Sequence, residues 1–473
     1  MKAIKYLMIG ALMTGFSATA MAQADNSAII NNITSVIKSK PADLKDQVKQ
    51  VFKKNKKNPE VIVGIARAFY EVKDTASARE YAELALKADK KYGPAYVLLG
   101  DIMVLGDEGG KAAEQYQQAI YFAPSEPEAY KKYANIYRKI SPTEAVSKLE
   151  ELRQYRPDLA IDAMKGRIYY SENLFDKAIE EYAKADREKM ENDDLRDYAM
   201  ALFFKQKNKE SLEIAKYALT KDPRSAAFNR LAMFNSTDLK DYETALAYAD
   251  ALLNKSDSEK LSYFDYTYYG NALMGAKQHD KALEMYQKAL TMDIENKDKR
   301  AGVIKTISDA YSSLENYPEA IKYYEQYLQE YSTPTATDYA GLAQLYYFQA
   351  SKMTGDEMIA SLKKSDELYG QLAEKYADAI EFATFWRARV NNAMDNDQQN
   401  GYAKPFYEKL IELYSVRTQL TNSDKSRLKE SYLYLISYEA RIANNMEAAK
   451  ANAEKLIVID PENAVAKQVL ELK

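Results

Sequence analysis

The chain has 473 residues, no cysteine, one histidine and 40 tyrosines, and its 66 basic residues face 70 acidic ones for a net charge of −4. The lack of cysteine excludes disulfides and thiolate metal sites. The acidic balance argues against a nucleic-acid partner, which calls for a strongly basic face.

Residues 1–22 read as a secretory leader. Lys2 and Lys5 give a positive start, Tyr6 to Phe16 is apolar, and Ala20-Met21-Ala22 forms an A-x-A site before Gln23. The apolar run is too short to span a membrane, and no later stretch is long enough. Without cysteine there is no lipid-modified anchor. The expectation is an exported chain cleaved after Ala22, periplasmic in a Gram-negative cell, either free or held at the outer membrane.

Residues 23–58 are expected to cap the remainder of the chain with two amphipathic helices, Ala28–Lys38 and Ala42–Lys54. They carry Lys38, Lys40, Lys45, Lys49, Lys53, Lys54, Lys56 and Lys57 against Asp43 and Asp46. A terminal unit needs a polar outer face, so a solvated cap is the first reading. Peripheral contact of the 38–57 segment with an anionic envelope surface is the functional alternative.

From 59 to 335 a ladder of small residues runs at a step of 33 to 38 positions: Ala78, Ala112, Ala145, Ala178, Ser211, Ala245, Ala282 and Ala320. A second rung lies twelve positions before several of these, at Ala66, Gly100, Gly166, Ala199, Gly270 and Ser308. Pro124, Pro157 and Pro223 follow as helix stops. Such a period marks a stacked array in which no unit can bury its apolar face alone. In the unit Gly93 to Glu126, Tyr96, Leu99, Gly100 and Met103 form one helical stripe, and Ala112, Tyr116, Ala119 and Ile120 form the facing one. Asp107-Glu108-Gly109-Gly110 breaks the first helix, with glycine expected to supply the turn. Gly100 and Ala112 are expected to let the backbones approach, with Tyr96 and Tyr116 filling space between neighbouring hairpins.

Residues 336–473 are less regular. A helix from Thr337 to Met353 and a long partner, Met358 to Tyr376, precede the only tryptophan, Trp386, beside Phe382, Phe385 and Ala388. The loop from Asn391 to Gly401 resembles half an EF-hand, but Asn400 and Phe406 stand where glycine and an acid are required, so it reads as a polar loop. A last helix, Ala464 to Leu472, ends the array.

These units resemble the tetratricopeptide repeat family, whose hairpin carries small residues at positions eight and twenty, alanine at twenty-seven and proline near its end. Ala215, Ala218, Leu219, Asp222 and Pro223 fit well, as do Ser437, Ala449, Ala453, Leu456, Ile457, Asp460 and Pro461. No unit has the family's tryptophan at position four; Ile62, Tyr96, Tyr130, Leu195, Tyr266 and Ile304 stand there. Tyr130 takes that place only if Ala134 is the small rung, which makes its hairpin one residue short. Asp162 is the polar exception, and different packing is expected around it. The resemblance implies an all-α fold, a right-handed α-solenoid of about ten to eleven repeats, eight of them regular over 59–335.

Catalysis is not expected. His279 lies three residues before Ala282, where Phe175, Tyr242 and Tyr317 stand in other units, and so reads as an aromatic substitute in the turn. No nucleophile elbow, Walker loop or dinucleotide fingerprint accompanies it. Neither cofactor nor metal is expected.

In the family, ligands meet the concave face lined by the first helices. The basic and aromatic residues that match its outward positions are Arg67 and Tyr70; Lys131, Asn135 and Arg138; Arg167 and Tyr170; Arg196 and Phe203. This stripe suits an acidic or aromatic segment of a protein partner. Lys131-x-x-x-Asn135 is similar to the opening of a carboxylate clamp, which Met164 and Arg167 leave incomplete. The expected function is a non-enzymatic interaction scaffold of the cell envelope. A periplasmic binder of glycans or other ligands, using the tyrosine-rich interior, is the alternative.

Overall fold

The computed structural model describes residues 26–257 and 260–472, so the leader reading of 1–22 lies outside it. Every regular element among the described residues is a helix. The chain divides into two compact units, 26–239 with 250–257, and 240–249 with 260–472.

Unit one opens with α1 (26–39) and α2 (Leu44–Lys54). Hairpins follow as α3 (Pro59–Glu71) with α4 (Thr75–Ala88), α5 (Gly93–Leu105) with α6 (Gly109–Phe122), and α7 (Pro127–Tyr137) with α8 (Pro142–Arg153). Next come α9 (Ile161–Ser171) with α10 (Phe175–Lys184), α11 (Asn192–Phe204) with α12 (Asn208–Lys221), and α13 (Ala226–Asp238). The short α14 (Tyr242–Asp250) spans the boundary between units along the chain. Unit two continues with α15 (Tyr263–Gly275) and α16 (His279–Thr291), then α17 (Lys297–Ser313) and α18 (Tyr317–Glu330). Its longer pairs are α19 (Ala336–Ala350) with α20 (Gly355–Lys375), α21 (Ile380–Met394) with α22 (Lys404–Ser415), and α23 (Asn422–Arg441) with α24 (Met446–Ile459). A lone α25 (Ala464–Glu471) ends it. Several helices start where a side chain can serve the free amides of the first turn. Asn58, Asp74, Ser141, Asn316 and Asn445 each accept from an amide three residues on.

All eight small rungs of the second helices are 0% exposed. Where a rung is serine, its hydroxyl donates to a carbonyl of the facing rung: Ser211 to Ala199 at 2.8 Å and Ser308 to Ala320 at 2.6 Å. Backbone and rung are thus in direct contact, as the ladder implies. The glycine rungs have a further cause. A Cβ at Gly100, Gly166 or Gly270 would lie 2.4, 2.8 or 2.4 Å from the ring of Tyr116, Tyr182 or Tyr286. Each of these tyrosines lies across the glycine of its own hairpin; Tyr182 also reaches the next hairpin, stacking on Tyr198 at 5.3 Å, while Tyr96 stacks on Phe122 within its own hairpin at 5.5 Å.

The inner turn repeats as faithfully as the rungs. Lys73, Asp107, Asn173, Gln206, Lys240, Lys277, Glu315 and Asn444 have φ between 50° and 63°, each five residues before a small second-helix rung. None is glycine, which corrects the expectation at 107–110. Asp107 takes the left-handed conformation, while Gly109 and Gly110 open α6 in open space. The α7–α8 hairpin, one residue short between Ala134 and Ala145, closes without a left-handed residue; the Ser141 amide bonds the Tyr137 carbonyl at 2.7 Å. Asp162 is accommodated by charge, with Arg153 at 2.6 Å and Lys165 at 3.5 Å.

In the lengthened pair the rung contact survives at wider spacing, since Ser365 of α20 donates to the Ala343 carbonyl of α19 at 2.8 Å. In the basic cap, all eight lysines are exposed. Lys38 pairs with Glu71 at 2.7 Å, and the other seven have no carboxylate partner among the described residues.

Candidate functional site

The first helices of unit one place the expected residues along one row. The rung itself is buried, and the next residue, about 100° further round the helix, emerges beside it. That position holds Arg67 after Ala66, Asp101 after Gly100, Asn135 after Ala134 and Arg167 after Gly166.

Arg67 is exposed and has no ion pair among the described residues. Tyr70 is half-buried near Asp101 and Lys132; burial first, then the Asp101 charge, raises its pKa. Asp101 accepts from the Tyr116 phenol at 2.8 Å and pairs with Lys132 at 2.8 Å. Burial works against the Lys132 ammonium, but Asp101 and Glu128 outweigh it and hold its pKa above the ordinary lysine value.

Lys131 and Asn135 of α7, Met164 and Arg167 of α9, and Lys189 with Asp194 enclose a cleft of about 340 Å³. Lys131 and Lys189 are exposed at its edge, neither within ion-pair distance of a carboxylate among the described residues; Asp158 feels the Lys189 charge from further off. Arg167 donates from Nε and Nη2 to Asp194 Oδ1 at 3.0 and 2.7 Å. The other Asp194 oxygen accepts the Glu191 amide at 3.2 Å, which starts α11. Burial pushes the Asp194 carboxyl up from the ordinary range, and Arg167 opposes this without cancelling it.

The remaining arginines are also engaged. Arg138 donates to Asn135 Oδ1 at 3.1 Å and pairs with Glu172 at 3.3 Å. Arg196 pairs with Asp197 at 2.9 Å and Asp193 at 2.8 Å. Tyr170 packs on Phe175 with centroids 5.8 Å apart, and Phe203 on Phe234 at 6.0 Å. The nine expected residues therefore do not form a free basic stripe. Lys131, Asn135 and Arg167 share the cleft; Arg138, Arg167 and Arg196 are neutralised within the chain. Sequence reasoning missed Asp101 on α5 and Asp194 and Asp197 on α11, which lie on first helices but were passed over by selecting basic and aromatic side chains.

His279 opens α16, as Phe175, Tyr242 and Tyr317 open α10, α14 and α18, and its Nδ1 lies 3.1 Å from the Met274 sulfur. The polar loop after α21 is organised by Asp395, 3% exposed, which accepts the Asn400 amide at 3.0 Å and its side-chain nitrogen at 3.0 Å. That carboxylate is spent on the loop itself. No group of three His, Asp or Glu able to hold a metal occurs among the described residues.

A family model for the tetratricopeptide repeat matches residues 265–333. The match covers the Gly270–Ala282 and Ser308–Ala320 rung pairs, whose geometry recurs along the chain. Residues 265–333 are tetratricopeptide repeats. Among solved structures, the C-terminal part of a tetratricopeptide repeat-containing protein from Cytophaga hutchinsonii is 26% identical, covering 59% of this chain and 100% of that one with a TM-score of 0.49. A tetratricopeptide repeat protein from Parabacteroides merdae is 17% identical over 50% of this chain and 94% of its own, with a TM-score of 0.32. YrrB, described as having an unusual peptide-binding site, is 17% identical over 38% of this chain and 94% of its own, with a TM-score of 0.29. No curated protein matches. Tetratricopeptide repeats generally build protein-interaction scaffolds, and 265–333 is a stretch of this kind. No described helix is long and apolar enough to cross a membrane.

Proposed function

We propose that unit one holds an acidic segment of a protein partner against its first helices, in a scaffold exported to the cell envelope. One observation carries the reading. Among the described residues, Arg67, Lys131 and Lys189 are cations without an ion pair along this face, and the two lysines edge the same cleft. The cleft admits side chains, and the neighbouring ion pairs fix its walls. Carboxylates arriving there gain unpaired ammonium groups at an edge that can still exclude water.

The alternative, tyrosines of the interior as stacking platforms for a ligand, loses its premise for the largest buried rings. Tyr116, Tyr130, Tyr182, Tyr286, Tyr369 and Tyr414 are all below 2% exposed or at that value, and they are core.

The test is affinity isolation of the mature protein from cells, followed by binding measurement with the recovered partner. Arg67→Glu, Lys131→Glu and Lys189→Glu together should weaken binding at least about tenfold, more so at low salt, with the melting temperature unchanged. Unchanged affinity would place the contact elsewhere. Export is tested by intact mass: a chain beginning at Gln23 supports it, and retention of Met1 contradicts it.

A further inference from the structure

The lysine-rich start of unit one takes no part in the partner cleft, and its charge is of one sign. Residues 38–57 hold eight lysines, two aspartates and no arginine, a net charge of +6. With −4 for the whole chain, everything outside that segment carries −10. The cationic charge is therefore concentrated on α1, α2 and the turns that follow them.

The packing of α2 fixes where its charges point. Val48 is buried, and Leu44, Val51 and Phe52 pack against the same core, with Phe52 edge-on to Tyr81 at 5.7 Å. The outward face carries Lys45, Lys49 and Lys53, all exposed. Four-residue steps bring these three within about 80° of one another round the helix and spread them over about 12 Å. Lys54, Lys56 and Lys57 follow, also exposed. Asp43 accepts from the Gln47 carboxamide at 2.8 Å, and neither it nor Asp46 pairs with a lysine among the described residues.

The needs of the fold explain only part of this set. Lys53 and Lys54 lie in the last turn of α2, and Lys38 and Lys40 at the end of α1, where a cation meets the negative end of the helix dipole. Lys45 is the second residue of α2 and faces the positive end, so helix stability does not call for it. Solubility of a terminal unit does not call for a single sign either. At the other end of the chain, residues 446–472 carry three lysines and five acids, with Lys467 paired to Glu462 at 2.7 Å. A polar end is made there from mixed charge.

We propose that the lysine face of α2 docks on a membrane surface rich in anionic phospholipid. The absence of arginine selects this partner over an acidic protein. A defined carboxylate is matched by the forked guanidinium, whereas a hydrated lysine point charge suits a diffuse layer of headgroup phosphates. The apolar side of α2 is committed to the core, so the contact is with headgroups, without insertion. The surface uses none of Arg67, Lys131 or Lys189 and is independent of the unit-one cleft.

The chain from Gln23 onward, without the apolar run 6–16, is floated with vesicles of phosphatidylcholine alone or with about 30% phosphatidylglycerol. At about 0.1 M salt it should bind the anionic vesicles at least about tenfold more strongly than the neutral ones, and it should leave them at about 0.5 M. Lys45→Gln, Lys49→Gln and Lys53→Gln together should weaken this binding at least about tenfold, with the helix kept by a good helix former. Lys45→Arg, Lys49→Arg and Lys53→Arg together should bind like wild type, because a headgroup layer reads only the charge. Lys209→Gln, Lys216→Gln and Lys425→Gln, exposed on α12 and α23, remove as much charge and should leave the binding unchanged. Equal binding to both kinds of vesicle overturns the proposal, as does binding that survives the higher salt. So do wild-type binding by the first glutamine set, loss of binding by the arginine set, and equal losses in the two glutamine sets. Capture of the chain by polyglutamate with no binding to vesicles would assign this end to an acidic protein and overturn it as well.

Discussion

The first-helix row of unit one and the second half of unit two both tie arginine to carboxylate, as Arg387 to Asp366 at 2.9 Å and Arg389 to Glu430 at 2.6 Å in unit two, and the second also lays its arginines on aromatic rings. In unit one, Arg138, Arg167 and Arg196 are laid against carboxylates of their own or the next helix pair. In unit two, Arg387 lies 4.5 Å from the Phe406 ring, and Arg389 and Arg427 lie 4.4 and 5.0 Å from Phe385. Both regions rest on the same helical contact, a small residue under a neighbouring backbone. The difference lies in the layer above it. In unit one the arginines are held by carboxylates, whereas in unit two the same pairing is joined by stacking on Phe385 and Phe406. The rungs fix the backbone and leave the adjoining positions free to vary.

The shared layer is the first thing to break. Ala178→Leu in unit one and Gly270→Leu in unit two should each lose about 1–3 kcal/mol or more in urea unfolding, since neither site has room. The glycine should suffer at least as much, because Tyr286 already lies over it. Gly302→Ala in α17, where a Cβ meets nothing within 4 Å, should instead gain up to about 1 kcal/mol. Equal effects at 270 and 302 would remove the distinction between rung and surface glycine.

Next come the arginines. Arg167→Ala leaves Asp194, with its side chain 8% exposed, without its cation, and about 1–2 kcal/mol should be lost after discounting the 41% exposure of Arg167. Arg167→Lys should recover part of this, because a point charge still reaches the carboxylate. Arg389→Lys should recover less, because stacking on Phe385 needs the planar guanidinium. Thermal or urea unfolding of the four-variant set, with Arg389→Ala, reads the contrast.

In alkali the two units should fail together. Burial, reinforced by nearby carboxylates, raises the pKa of Tyr130 in unit one and of Tyr346 and Tyr434 in unit two to about 12. A phenol raised in the fold stays neutral there while the unfolded chain ionises near pH 10. The stability it contributes is complete below that pH and is lost as pH rises through about 12. Tyrosinate absorbance should therefore lag behind free tyrosine and rise steeply with loss of helical circular dichroism. Smooth titration with the helices intact would contradict the burial.

The smallest effect sharpens the contrast between regular and short hairpins. Gln206→Gly and Lys277→Gly, at left-handed turn positions, should gain about 0.5–1 kcal/mol in urea unfolding, while Ile140→Gly in the short α7–α8 turn should not.

The ladder was legible because a rung tolerates only alanine, serine or glycine, so its period survives every other substitution. The turns were not, since lysine, aspartate, asparagine and glutamine all occupy the left-handed site and no residue type marks it. The partner row was half legible. Lys131, Asn135 and Arg167 were found through the family's outward positions and do share a cleft. Their meaning changed once Asp101, Asp194 and Asp197 were counted. One signal was available: Tyr116 and Tyr286, four residues after their rungs, bond the residue that follows the facing glycine, Asp101 and Asn271, both at 2.8 Å.

The partner surface proposed for unit one is tested most directly by photo-cross-linking in intact cells. A photoreactive residue is placed at Asn135 in the unit-one cleft, at Asn396 in the unit-two loop, or at Lys216 on the exposed side of α12. The account predicts a discrete protein adduct from position 135 that disappears with Lys131→Glu and Lys189→Glu, and no protein adduct from 396 or 216. An adduct from 396 or 216 with none from 135 would contradict it.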